Sequence, residues 1–173
     1  YKVLNNILVK DAASNSLASL KTDLLVLVIN KNTKSDSSFK EINKISKNYI
    51  SKTISSHLKD AGSNVLLPKI DGIAAANILL VNGLDSSAPT HKWLSMYQSI
   101  AHKGNSLKCK DISIMPGNTC PAKKDEFWLI EMVAKTIESN VYIFSETKNK
   151  TASNPTVKKL TILTSGLTPS ALT

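Results

Sequence analysis

The sequence contains no arginine. All 22 basic residues are lysine, set against 13 acidic residues, for a net charge of +9. Without guanidinium groups the chain lacks the planar bidentate fork that reads guanine edges and clasps phosphates. Lysine still attracts polyanions through counterion release, but without base-specific reading. The only two cysteines, Cys109 and Cys120, form no C-x-x-C unit, so neither a zinc ribbon nor a dithiol redox motif is encoded. Two thiols in such a chain fit a reducing compartment, and a cytoplasmic location is expected. Glycine is scarce, at six residues. Neither G-x-G-x-x-G nor the Walker pattern occurs, which removes the common phosphate-cradling loops. No apolar run approaches the roughly 20 residues of a membrane-spanning helix. The longest, Leu24 to Ile29, is strand-sized. The first residues, Tyr1-Lys2-Val3-Leu4-Asn5-Asn6, interrupt any secretory apolar core, and without a signal the Asn149-Lys150-Thr151 sequon carries little weight. The absence of an initiator Met points to numbering that starts inside a longer precursor.

What is present is ordinary for a globular protein. The 173 residues are 42% hydrophobic and 20% charged, enough for one domain with its own core. Residues 2–9 and 23–29 read as strands, the second a continuous Val/Leu/Ile run suited to burial on both faces. Ala12 to Leu20 shows no clear period. From Ser37 or Ser38, as N-cap, a helix is expected to run to about Asp60. Its stripe is Phe39, Ile42, Ile45, Tyr49, Ile50, Ile54 and Leu58, with Gly62 as a left-handed cap. Asn64 to Leu67 is a short strand stopped by Pro68. A turn at Asp71-Gly72 follows, then a strand Ile78 to Val81 leaving at Gly83. Ser87-Ala88-Pro89 opens a second helix, striped by Trp93, Met96, Tyr97, Ile100 and Ala101 and closed by Gly104. Ile112 to Met115 is a strand ended by Pro116-Gly117. Thr119 or Cys120, before Pro121, starts a third helix with Phe127, Ile130, Ala134 and Ile137 on one face. Val141 to Phe144 reads as a strand, 145–156 as a polar loop and Val157 to Leu163 as the last strand. Strands alternating with helices indicate an α/β layer fold with a mixed, largely parallel sheet flanked by helices.

Chemistry is sparse along this chain. The tightest acidic pair, Asp125-Glu126, sits early in the third helix, where it complements the helix dipole. His57 lies near the end of the first helix, where a cation suits the dipole. His91 and His102, eleven residues apart on the second helix, are about three turns apart and too distant to share a metal. No Gly-x-Ser-x-Gly elbow occurs, and spacing pairs no cysteine with a histidine. Gly83 follows a strand, the position where an α/β sheet opens a ligand crevice. Trp93 and Tyr97 fit core or interface, and Lys123-Lys124 and Lys158-Lys159 fit solvated faces.

Five segments in order carry a resemblance to a known family: Thr22-Asp23-Leu24-Leu25-Val26-Leu27-Val28, Leu66-Leu67-Pro68, Ile78-Leu79-Leu80-Val81-Asn82-Gly83-Leu84, Val141-Tyr142-Ile143-Phe144 with Lys148 and Lys150, and Val157-Lys158-Lys159-Leu160-Thr161-Ile162-Leu163. Together they resemble the amino-terminal domain of the leucine aminopeptidases, the cytosol aminopeptidase family. One departure is Asp85, where the family usually continues into glycine. The resemblance implies a macro-domain-like three-layer sandwich over residues 1–164, with 165–173 beginning a linker to an absent catalytic domain. It implies a non-catalytic domain serving assembly and active-site access. No catalytic, cofactor-binding or metal-binding residue is then expected here, because the family's Asn-Thr-Asp-Ala-Glu-Gly-Arg motif and its Lys- and Asp-bearing segment are missing. The parent would be a hydrolase, a metalloprotease releasing amino-terminal residues with two divalent metals, zinc with manganese or magnesium exchange. Implied partners are the chain's own catalytic domain and the other subunits of a homohexamer, with no membrane. Two alternatives stay open: a basic DNA-binding module, since some bacterial members of the family bind DNA, and a macro-type nucleotide module.

Overall fold

A computed structural model of the chain describes residues 6–11, 19–29, 37–57, 60–116, 121–148 and 157–164. Its centre is the strand β2 (Leu24–Ile29), a run of six apolar residues that are all buried. Around it lie β1 (Asn6–Asp11), β3 (Asn64–Leu67), β4 (Asn77–Asn82), β5 (Asp111–Met115) and β6 (Lys159–Thr164). The helices are α1 (Ser37–Ile45), α2 (Tyr49–His57), α3 (Thr90–Ser106) and α4 (Glu126–Lys148). The six strands form one sheet in the order β1-β6-β5-β2-β4-β3. Every pairing is parallel except β3 with β4 at one edge.

Alternation along β2 divides the core in two. Leu24, Val26 and Val28 join Trp93, Met96, Tyr97, Ile100, Leu129, Val133 and Ile137 of α3 and α4 in one cluster. Leu25, Leu27 and Ile29 join Phe39, Ile42, Ile50 and Ile54 of α1 and α2 in the other. Period-two side chains on a strand covered on both sides produce this three-layer packing. The expected mixed, largely parallel sheet flanked by helices is the observed architecture.

Four expectations are corrected. The first helix is two helices, broken at Ser46-Lys47-Asn48. There Lys47 and Asn48 are left-handed (φ 56° and 65°), and Asn48 N–H closes on Asn43 O at 2.9 Å. The Asn43 carboxamide then accepts Ser51 N–H at 3.1 Å, capping α2 from the end of α1. Gly62 is left-handed as expected (φ 85°), but it lies five residues past the end of α2, in the turn into β3. Second, Val141 to Phe144 is no strand: α4 runs unbroken through it to Lys148, over 23 residues, absorbing also the start of the expected loop. No Gly or Pro lies between Ile137 and Val141, so nothing stops the helix. Third, Gly104 does not close α3, which continues to Ser106. A Cβ at Gly104 would lie 2.5 Å from Ile112 Cδ1, so this glycine is there for the close approach of α3 to β5. The C-cap is Leu107, followed by left-handed Lys108 (φ 57°), with Cys109 N–H donating to Gly104 O at 3.0 Å and Lys108 N–H to Asn105 O at 3.1 Å. That is a Schellman motif with lysine at the position glycine usually takes. Fourth, the third helix does not start at Thr119 or Cys120: residues 121–125 are not helical and α4 begins at Glu126, after Asp125. The linker 165–173 lies outside the described residues.

Candidate functional site

Helix placement fixes where a ligand crevice opens. The chain leaves β2 for α1 and α2 on one face and leaves β4 for α3 on the other. Open α/β sheets bind ligands outside the carboxyl ends of the strands at such a switch. Here Gly83 N–H donates to Ile29 O at 2.7 Å, so the β2–β4 ladder reaches the rim. Asp85 then turns the chain, its Oδ1 accepting Ser86 N–H at 2.7 Å and its carbonyl accepting Ala88 N–H at 2.9 Å. Ala122 N–H donates to Ser86 O at 3.0 Å, which ties the loop after β4 to the chain entering α4. Among the described residues, Asp85 places an exposed carboxylate on this rim.

The residues singled out from sequence do not converge there. His91 and His102 are both exposed on α3, and His57 is the last residue of α2. Asp125 is the N-cap of α4: its Oδ1 accepts Trp128 N–H at 2.9 Å and its carbonyl accepts Leu129 N–H at 3.1 Å. The expected complement to the helix dipole thus takes the form of a capping bond. Trp93 and Tyr97 are buried core residues. Cys109 is a buried free thiol, while Cys120 lies outside the described residues. Lys123, Lys124 and Lys158 are exposed, with Lys124 Nζ 5.5 Å from the Trp128 ring centroid. Among the described residues, no three His, Cys, Asp or Glu side chains are grouped so as to hold a metal ion.

Two features escaped sequence reading. At the amino edge of the sheet, Thr22 donates its hydroxyl to Asp111 and accepts one from Ser113 at 3.1 Å. Asp111 also accepts Asp23 N–H at 2.8 Å, and Asp23 in turn accepts Lys110 N–H at 2.7 Å. Burial, and then the negative charges of Asp23 and Asp111, push the Cys109 thiol up to about 11. The signal was a polar residue directly before each of two apolar runs, but only the strand order makes them neighbours. The other feature is a groove of about 290 Å³ between α3 and α4, lined by Leu94, Trp128, Glu131, Met132, Lys135 and Thr136. Glu131 and Lys135 form an exposed ion pair there at 2.8 Å.

No family model matches the sequence. The cytosol aminopeptidase of Haemophilus influenzae is 24% identical over 146 residues, as is a probable cytosol aminopeptidase from another strain. The match covers 83% of this chain but 30% of the relative, so the chain spans under a third of the length of these curated relatives. Among solved structures, a tomato leucine aminopeptidase variant aligns over 95% of this chain and 33% of its own, with a TM-score of 0.68 at 19% identity. The macro domain of ganglioside-induced differentiation-associated protein 2 gives 0.66 at 12% identity, covering 94% of this chain and 78% of that one. The Trypanosoma brucei macrodomain in complex with ADP-ribose gives 0.64 at 10% identity, covering 91% and 63%. By sequence and fold together, this chain is similar to the amino-terminal part of the leucine (cytosol) aminopeptidases and has a macro-like fold.

Proposed function

We propose that this is the non-catalytic amino-terminal domain of a two-metal aminopeptidase, serving assembly and access to an active site held elsewhere in a longer protein. The observation that carries the reading is the match to 83% of this chain but only 30% of a cytosol aminopeptidase. The described residues offer no group that fits a metal, so no step of peptide hydrolysis is derived through them. In this reading the two divalent metals, zinc or manganese, belong to the carboxyl-terminal catalytic domain, and the domain works in the cytoplasm within a homohexamer. The test compares the 173-residue chain with the full gene product. Leucyl anilide hydrolysis, bound zinc and hexamer mass are expected in the full product alone. Hydrolysis by the pure short chain, after chelation and remetallation, overturns the proposal.

A macro-type nucleotide module is the second reading. The likeness to a macrodomain in complex with ADP-ribose favours it. Calorimetric titration with ADP-ribose separates the two, since the assembly reading expects no heat of binding.

A further inference from the structure

The layer formed by α3 and α4 has apolar surface left uncovered on its outer side. The groove between the two helices is walled by Leu94 of α3 and by Trp128, Met132 and Thr136 of α4, with the exposed Glu131–Lys135 pair beside it. Leu94 and Trp128 are only half-buried, so each keeps apolar area in water. Phe127, next to Trp128, is 44% exposed; the other exposed large apolar residues, among those described, lie on β1 and α2. Two aromatic rings beside a concave apolar surface have the make-up of an interface anchor.

Charge and topology choose the occupant. The stretch from Lys123 to Glu138 carries three lysines and four acidic residues, and Lys92 on α3 brings this face to neutrality on a chain of +9. A polyanion therefore gains nothing here, and a second copy would bring a further +9 against the first. A neutral, partly apolar face suits a neighbour kept close by covalent continuity. The strands β4, β5 and β6 run parallel, so α3 and α4 both start from the carboxyl edge of the sheet, and β6 ends there at Thr164. The groove residues lie in the first halves of α3 and α4, the halves nearest that edge. β6 also lies directly beside β5, the strand that connects α3 to α4. Polypeptide continuing from β6 thus leaves the sheet at the groove's end of the molecule, and the match covers only 30% of the curated relative.

We propose that the α3–α4 groove is the seat of the downstream domain of the same polypeptide, an inference that rests on the proposed function and names the surface through which it acts. Trp128 and Leu94 are the anchors, and Phe127 extends the contact past the Glu131 side of the groove.

The experiment measures maleimide labelling of a thiol placed at the groove, in the full gene product and in the 173-residue chain. Lys135→Cys reports the groove, and Lys52→Cys, an exposed position of α2 on the opposite face of the sheet, is the control. Labelling of the parent proteins is subtracted. Lys135→Cys is expected to label about tenfold more slowly in the full product than in the short chain, and Lys52→Cys to stay within about twofold. Adding Leu94→Glu, at a half-buried position, should restore fast labelling of Lys135→Cys in the full product, with circular dichroism verifying the fold. Equal labelling of Lys135→Cys in the two proteins, equal slowing at both positions, or protection untouched by Leu94→Glu overturns the proposal. Protection that appears in the short chain as its concentration rises assigns the groove to a second copy and also overturns it. Leucyl anilide hydrolysis by the same full product separates the two failures. Hydrolysis with a freely labelled groove removes this inference alone, and a full product without hydrolysis removes the proposed function with it.

Discussion

Replacing Gly104 with alanine sets two known effects against each other at one position. An alanine in a helix interior is favoured over glycine by about 1 kcal/mol, because the glycine backbone loses more freedom on folding. At Gly104 the added methyl would meet Ile112 Cδ1 at 2.5 Å, Ile112 Cγ1 at 3.3 Å and Val157 Cγ2 at 3.6 Å. Rotation about χ2 moves Cδ1 aside, but Cγ1 stays, and Ile112 is fully buried among packed neighbours. Overpacking of this kind costs about 1–3 kcal/mol. The clash therefore wins, and Gly104→Ala should destabilise by about 1 kcal/mol, lowering Tm by about 2–4 °C. The diagnostic partner is Ile112→Val, which deletes Cδ1 and by itself costs about 0.5–1.5 kcal/mol. In the Gly104→Ala background the same change should cost little, because it removes the obstructing atom. Urea unfolding of all four members of this cycle should give a coupling of about 1 kcal/mol. A stabilising Gly104→Ala, or a cycle additive within about 0.3 kcal/mol, would refute the close approach of α3 to β5.

Three further outcomes follow from features already described. Lys108→Gly should raise stability by about 0.5–1 kcal/mol in thermal melts, because the left-handed position suits glycine. Asn43→Ala should cost about 1 kcal/mol in urea unfolding, since it removes the acceptor that caps α2. The Cys109 thiol should resist disulfide reagents at pH 8 in the native protein and react freely in denaturant. Its pKa is raised from 9.0 to about 11 on folding. The unfolded chain thus loses this proton first, and stability falls as pH rises from 9 towards 11; Cys109→Ala should remove that part of the decline.

Period-two and period-three-to-four patterns made most of this fold legible in the sequence. The all-apolar β2 and the strand pair around Asp71-Gly72 needed no tertiary knowledge, and Gly72 is left-handed as its turn demands (φ 89°). The break between α1 and α2 was hidden because Ile45 and Tyr49 keep a spacing of four across it, while two left-handed residues re-aim the chain. Val141-Tyr142-Ile143-Phe144 misled through its β-branched and aromatic composition. Yet Ile137, Val141 and Phe144 continue a spacing of four and three, and that helical signal was the stronger one. Gly104 looked like a helix stop because the approach of Ile112 cannot be seen from local sequence. The candidate sites were less legible for the same reason. Asp23 and Asp111 are 88 residues apart, and Leu94 and Trp128 line one groove only once α3 lies beside α4.

The strand order also governs the timing of folding. β6 is the last described strand in the sequence, yet it lies inside the sheet between β1 and β5. Asn6 on β1 is paired with Lys159 on β6, so among the described strands the first has no neighbour until one some 150 residues later has been synthesised. During translation β2, β3, β4 and β5 can assemble as they emerge from the ribosome, with the hairpin of β3 and β4 as their most local pairing. β1 must wait, an apolar strand with unpaired backbone groups, which is the kind of segment chaperones hold. Insertion of β6 between it and β5 is then a single late event that completes the sheet, and its long loop closure makes it the natural slow step.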